Sequence, residues 1–595
     1  MGHAYLAVGW NRQKRVYDTT LALGVGLCIA LFMALTFAAN PLVTAETLLI
    51  RAFAASAFVL LHVILSIGPL CRIDPRFLPL LYNRRHLGVA MFVLALAHGV
   101  LAFVQFHALG VISPLESLFT SDGGPGTLPF QPLGAAALAV LFLMAATSHD
   151  FWLRNLTPPT WKALHMSVYV AYALIVLHVA FGFLQANTSP YLLVATAMGA
   201  LWLLGVHLVA AQRERVADRA ELATRGEWVD AGDVASIPDG RAKTVSIEGE
   251  RVAIFRYGEK LSALSSVCRH QNGPLGEGRV VDGCVVCPWH GYQYRPHDGR
   301  SPEPFTERVP TFRVRVEGTR VLVDPRPLPP GTAVEPARIA GVQAPHDERE
   351  LYVGYLPHSP PRQARFTRGV VLALFAACLA LVSLVALEQA PLNAGQFEYG
   401  VVREFRGVLE SSPHPHLRVQ RPAGGVSSYL LVAPGKHGAD ELVREFDGRG
   451  VTLRGSLVHL GGRTLVELEP GSIQPADVGA PAASVVALGR STLRGEIVDS
   501  KCHLGVMTPG ERRTHRACAQ LCIRGGIPPL FWVEDERGGV QRLLLVGANG
   551  EAVNERVLEL VGVPLEIEGL VEQHDDWLVL RADPAGYRRI EKGGG

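Results

Sequence analysis

Seven apolar runs divide the chain. Six crowd into the first third, at about residues 19–39, 47–70, 86–108, 131–148, 161–184 and 190–211, and the seventh, GVVLALFAACLALVSLVAL at 369–387, stands apart. A helix needs roughly 17–25 apolar residues to cross a bilayer, so each run predicts a span, the fourth at the short end. Between the sixth and seventh runs the pattern changes. TVSIEGERVAIFRYGEKLSALSS alternates apolar and polar positions with turns at Gly249 and Gly258, which predicts antiparallel strands. After the seventh run, two series share an order of strand, insertion, strand, short helix and two strands joined by a polar turn. The first includes FRGVLESS and SYLLVAPGKHGADELVREFDGRGVTLRGSLVHLGGRTLVELE. The second includes LRGEIVDS and RLLLVGANGEAVNERVLELVGVPLEIEGLVEQHDDWLVLRA. They read as a weak internal repeat of two small barrels, OB-like in outline, or as two unrelated β-rich domains.

The expected class is therefore a multidomain membrane protein: a six-helix transmembrane bundle, an all-β domain, one further transmembrane helix and a β-rich C-terminal region. The expected boundaries are 1–211, 225–326, a Pro-rich linker over 327–366, a helix at 367–389, and β-rich domains at 397–475 and 490–592. Length agrees, since 595 residues exceed one compact domain. The N-terminal Arg12, Lys14 and Arg15 precede the first run without a nearby small-residue cleavage site, which reads as a retained span rather than a signal peptide.

Basic residues set an orientation. Arg12, Lys14 and Arg15, then Arg72, Arg76, Arg84 and Arg85, then Arg154 and Lys162, then Arg213 and Arg215 mark alternate loops. In the other loops VISPLESLFTSDGGPGTLPFQ has none, and Arg51 is the exception. By the positive-inside rule the N-terminus and residues 212–366 are cytoplasmic and 390–595 lie outside, as in a bacterial inner membrane. Net charge is only +2, so no basic field points to nucleic acid.

Nine cysteines are scattered, at positions 28, 71, 268, 284, 287, 378, 502, 518 and 522, so the information lies in local spacing rather than in a disulfide framework. Cys268-x-His270, sixteen residues, then Cys287-x-x-His290 offers two thiolates and two imidazoles from two loops. Thiolates suit one iron of a two-iron cluster, and imidazoles on the other iron raise its potential. A zinc site is the competing reading. With CPWHGYQY and the flanking strand pattern, residues 225–326 resemble the Rieske [2Fe-2S] family. The extra cysteine pair of high-potential members is replaced by Gln271–Asn272–Gly273 and Trp289, and their cluster-facing serine by Tyr292. That resemblance implies the low-potential ferredoxin type, with fewer hydrogen bonds to the cluster. Cys284 reads as packing. The stretch from His290 to the seventh run is too short and Pro-rich for a mononuclear iron domain, which argues against an oxygenase.

Histidines inside spans need partners. The third run has His86 and His98, and the fifth His165 and His178. The two levels are about 18–20 Å apart along a helix, which suits one or two bis-imidazole haem b groups. Separations of 12 and 13 residues leave each pair roughly 120–140° apart on a straight helix. One haem between His98 and a histidine of the fifth run is the smaller version. Arg84–Arg85, Leu87–Gly88, His98, Trp161, Leu164–His165, Tyr169 and His178 resemble the ferric-reductase-like transmembrane family over about 47–211. The resemblance implies His98, His165 and His178 as haem ligands, with His86 outside its pattern. His62 and His207 read as polar packing. No Gly-rich dinucleotide fingerprint follows a strand, so electrons need a separate cytoplasmic partner.

The segment EIVDSKCHLGVMTPGERRTHRACAQLCIRGGIPPLFW contains Cys502, His503, His515, Cys518 and Cys522. Cys518 and Cys522 share one helical face and, with Cys502 and a histidine, suit copper or zinc. One disulfide plus a free thiol and a redox-active dithiol are the other readings. The residues suggest an electron carrier between a cytoplasmic cluster, haem b and a periplasmic partner, with no evident acid–base catalyst. The competing class is a redox-sensing or metal-handling receptor with ligand-binding external domains.

Overall fold

The computed structural model describes residues 12–81, 84–120, 129–149, 152, 156, 158–186, 189–218, 224–225, 227–270, 273–288, 291–303, 305–339, 341, 361–389, 395–422, 424–479, 484–534 and 539–590. His290, Gln271, Asn272, Trp289 and much of the Pro-rich linker lie outside them.

The apolar runs form helices α1 (Arg12–Ala39), α2 (Ala45–Ile73), α3 (Arg84–His107), α4 (Pro114–Thr120) and α5 (Gln131–Thr147). Then follow α6 (Pro158–Met166), α7 (Val168–Phe181), α8 (Phe183–Ala186), α9 (Pro190–Asp218) and α10 (Pro361–Leu387). Among the described residues six apolar helical runs have spanning length, α1, α2, α3, α9, α10 and the run over 163–185 that joins α6 to α8, and α5, at 17 residues, is shorter. The fifth run departs from one straight helix. The amide of Ser167 bonds Leu164 O, and its hydroxyl bonds the same carbonyl, a tightened turn in which the side chain competes for a helical acceptor. The angular relation of His165 to His178 therefore differs from that of a straight helix. α2 packs on α3, α5 on α7, and the isolated α10 on α1. Gln389 Nε2 fastens the end of α10 to Thr36 Oγ1 at 3.1 Å.

Residues 228–323 fold into antiparallel sheets. Strands β1 (Trp228–Asp233), β2 (Ala242–Ile247), β3 (Glu250–Tyr257) and β4 (Lys260–Ser265) build the base with later strands. β5 (Arg279–Val281), β6 (Cys284–Val286) and β7 (Gln293–Tyr294) form a separate three-stranded sheet. Asp282 and Gly283 join β5 to β6 with φ of 51° and 76°, the paired left-handed geometry that a two-residue hairpin turn requires. This domain sits on the end of the bundle marked by Arg72 and Arg84. Val286 shares an apolar core with Leu78, Leu81 and Leu87, and Val281 packs against it.

The C-terminal region contains two closed five-stranded barrels. In the first, β8 (Arg403–Glu410), β9 (His416–Gln420), β10 (Val426–Ala433), β11 (Gly450–Leu460) and β12 (Arg463–Leu468) pair around the ring in the order 8-9-10-12-11 and back to 8, with β10 and β12 parallel. In the second, β13 (Val485–Asp499), β14 (Pro529–Glu534), β15 (Val540–Val546), β16 (Pro564–His574) and β17 (Trp577–Arg581) repeat that order, with β15 and β17 parallel. Closure removes the free edges that small sheets must otherwise protect. The barrels differ in the first connection. Residues 411–415 suffice in one; in the other, residues 500–528 include a π-helical turn and helix α11 (Arg512–Arg524).

The barrels dock on the end of the bundle opposite the Arg84 end. Lys436 N donates to Leu109 O at 3.0 Å, and Lys436 Nζ donates to Gln105 O at 3.1 Å. Thr44 N donates to Thr508 Oγ1 at 3.2 Å, and α11 packs on α3, α4 and α8. α2, with 29 residues, runs about 43 Å between the two docked modules.

Candidate redox centres

Cys268 and His270 lie on the loop between β4 and β5, and Cys287 opens the loop between β6 and β7. Both thiols are buried, in one core with Tyr292, Tyr294, Leu275 and Val309. Backbone bonds from Cys268 N to Gly273 O (2.9 Å) and from Cys287 N to Tyr292 O (2.8 Å) shape the loops. The His270 ring stacks on Tyr292, centroids 4.8 Å apart, and the Tyr292 hydroxyl donates to Glu307 Oε2. Two buried thiols and an imidazole on facing loops, with hydrogen bonding around them, fit a [2Fe-2S] cluster; the fourth expected ligand, His290, lies outside the described residues.

Sequence reasoning missed Tyr294. Its hydroxyl lies 3.4 Å from Cys268 Sγ and accepts from Arg269 N at 3.0 Å. Burial, followed by the neighbouring Cys268, pushes this phenol far above its usual range, so it keeps its proton and can donate to the sulfur. This contact adds a hydrogen-bond donor beside the cluster ligand that the ligand spacing does not reveal. The signal was the second tyrosine of GYQY, two residues beyond Tyr292. Cys284 is half-buried and pairs with Val281 across the β5–β6 hairpin.

Inside the bundle His98 of α3 and His178 of α7 come together, ring centroids 6.3 Å apart. His98 Nδ1 lies 3.1 Å from Ile50 O, and His178 Nδ1 lies 2.7 Å from Phe130 O. Donation to those carbonyls leaves both Nε2 atoms with lone pairs, the arrangement that orients metal-bound imidazoles. Two imidazoles across one metal ion, with nitrogens about 2 Å from it, place their centroids about 6 Å apart. The pair thus fits one haem iron. A Cβ at Gly134 would stand 2.7 Å from His178 Nδ1, so only glycine leaves that ring its position.

The other histidines have separate partners. His86 Nδ1 lies 2.8 Å from Asp18 Oδ1 of α1. His165 stacks on Trp161 at 3.8 Å, with Nδ1 on Trp161 O and Nε2 3.3 Å from Ser148 Oγ. His62 and His207 meet the hydroxyls of Tyr172 and Tyr169.

The C-terminal cysteines gather in a core shared by both barrels, which Phe106 of α3 also enters. Cys502 Sγ is 4.0 Å from Cys518 Sγ, and Cys518 Sγ is 3.7 Å from Met507 Sδ. His515 Nε2 meets Asp499 Oδ2 at 2.7 Å. S–H donation from Cys502 and Cys522 holds the Cys518 thiol well below its usual value, aided by Lys436 and His515. Burial pulls His515 down, but Cys518 and Asp499 outweigh it and hold the ring at about 9. His503 stands apart, with Nε2 accepting from Arg542 at 3.1 Å. Among the described residues no cysteine is joined in a disulfide.

Residues 227–313 match the family of the Rieske [2Fe-2S] domain, and residues 51–176 match the ferric reductase like transmembrane component. The ferredoxin subunit of anthranilate 1,2-dioxygenase from Burkholderia cepacia is 32% identical over 104 residues, 17% of this chain and 95% of that protein. The ferredoxin component of the alkene monooxygenase system of Xanthobacter autotrophicus is 30% identical over 104 residues, covering 85% of its length. The cholesterol 7-desaturase nvd of Xenopus laevis is 35% identical over 88 residues, only 19% of its length. Among solved structures, the ferredoxin of carbazole 1,9a-dioxygenase from Nocardioides aromaticivorans IC177 aligns at 24% identity, covering 17% of this chain and 98% of its own, with a TM-score of 0.16.

Proposed function

Because the chain belongs through residues 227–313 to the Rieske [2Fe-2S] family and has a ferric-reductase-like transmembrane domain at 51–176, we propose that it passes electrons across a membrane. The path joins a cytoplasmic Rieske cluster, haem b in the bundle and a periplasmic partner. The observation that carries this reading is the seating of the cluster-bearing sheet. Val286, next to Cys287, packs into the bundle core at the Arg84 end, so the cluster-bearing sheet and the bundle form one packed unit.

Cluster and haem each supply one-electron chemistry when bound. The chain's residues do the rest. Cys268, His270, Cys287 and His290 hold the cluster, and Tyr294 offers a proton to the Cys268 sulfur. His98 and His178 hold one haem, their tautomers fixed by Ile50 O and Phe130 O. His165 and Trp161 form a stacked pair near the Arg84 end. The basic loops support a cytoplasmic N-terminus and Rieske domain, with the barrels outside a bacterial inner membrane.

Purified protein tests this directly. A Rieske-type paramagnetic signal and a reduced-minus-oxidised haem b spectrum are expected, with rapid exchange of electrons between the two centres. Absence of both signals, or two centres that do not exchange electrons, would overturn the proposal.

A further inference from the structure

The insertion that distinguishes the second barrel from the first builds a compact donor set. His515, Cys518 and Cys522 follow one another at spacings of three and four on α11, so they share a helical face. Cys502 reaches them from the π-helical turn. One ring nitrogen of His515 and the sulfurs of Cys502 and Cys518 lie within 4.8 Å of one another, and Cys522 lies within the same distance of Cys502. All four side chains are buried.

We propose that Cys502, Cys518, Cys522 and His515 form a site for a soft metal ion with a filled d shell, copper(I) in preference to zinc(II). Two thiolates about 2.3 Å from one ion stand about 3.8 Å apart in a tetrahedral arrangement and about 4.0 Å apart in a trigonal one. The Cys502–Cys518 separation of 4.0 Å meets that spacing without a change of backbone. A Cys502–Cys518 disulfide would leave Cys522 idle, although its sulfur also lies within 4.8 Å of the Cys502 sulfur.

Asp499, with a carboxylate oxygen within 4.8 Å of the Cys502 and Cys522 sulfurs, orients the set. Its Oδ1 accepts from Cys502 N at 2.8 Å and its Oδ2 meets His515 Nε2 at 2.7 Å. That leaves His515 Nδ1 buried and without a hydrogen-bond partner among the described residues. A carboxylate on one imidazole nitrogen with the other left open is the usual preparation of a metal-binding histidine. The choice of copper(I) follows from the surroundings. Thiolate and thioether donors select that ion, Met507 Sδ touches Cys518, and Leu430, Val458, Leu504 and Leu530 close the space against water. The proposal stands independently of the electron-transfer reading.

The test uses the full chain in detergent, stripped with chelator under reductant and titrated anaerobically with copper(I) against a chromogenic competitor. One tightly held copper per chain is expected, with an X-ray absorption shell of sulfur and a single nitrogen. C518S should weaken binding at least 100-fold, and C378S, in α10, should leave it unchanged. Equal melting of C518S and wild type separates loss of ligand from loss of fold; the absorption shell of the wild type needs no variant. No retained copper, a shell without sulfur, or zinc(II) displacing copper(I) at equal free concentration would overturn the proposal.

Discussion

The imidazoles of His98 and His178 meet edge to face with ring centroids 6.3 Å apart, each with Nδ1 on a backbone carbonyl. His165, from the same apolar run as His178, is engaged with Trp161 and Ser148 instead. H98A and H178A should each abolish the haem b absorbance, and H165A should retain most of it. G134A should act like a mild form of H178A, because its methyl group would collide with Nδ1. Pyridine haemochrome assays on purified variants check all four.

Tyr294 donates toward a cluster ligand, and such a bond stabilises the more negative, reduced state. Y294F should lower the reduction potential. A hydrogen bond worth about 1 kcal/mol corresponds to about 40 mV for one electron. Protein-film voltammetry reads the shift, and an unchanged potential would show that the contact has no electronic role.

Val281 packs on the bundle from a strand outside both ligand loops. V281D should leave the paramagnetic signal of the cluster intact while slowing its electron exchange with the haem at least tenfold. Stopped-flow reduction followed at haem wavelengths measures that rate.

The two barrels are joined by Arg418 and Asp575, 2.9 Å apart and each 7% exposed. Burial alone would raise the Asp575 carboxyl, but Arg418 and Ser428 prevail and lower it. Glu410, on the same guanidinium, is held down at about 2 by His416 first and then by Arg418. Both carboxylates have depressed values, so their stabilisation is present above the ordinary range near pH 4 and is lost as pH falls toward 2. Thermal melting should show the barrels loosening across that interval. D575A should cost about 2 kcal/mol at neutral pH, since the buried Arg418 keeps Glu410 but loses one of its two carboxylate partners, and should flatten the acid limb.

The linear pattern by itself determined the elements and part of the chemistry. Long apolar runs have no stable place except in a bilayer or a core, so the spanning helices were legible from length alone. Cys268-x-His270 and Cys287-x-x-His290 were legible because each ligand pair sits within one short loop, where covalent spacing fixes geometry. Tertiary structure decided what depends on facing surfaces. The partner of His98 lies 80 residues away on another helix, and no spacing rule says which of His165 and His178 turns toward it. A tightened turn at Ser167 lies between those two. Tyr294 could be read as a core aromatic until its hydroxyl was found beside Cys268. The gathering of Cys502 with Cys518 and Cys522 likewise rests on a fold in which a π-helical turn and α11 close over one another, held by Asp499 from the end of β13. Local periodicity follows from the backbone; pairing across a core follows from packing, which no single segment contains.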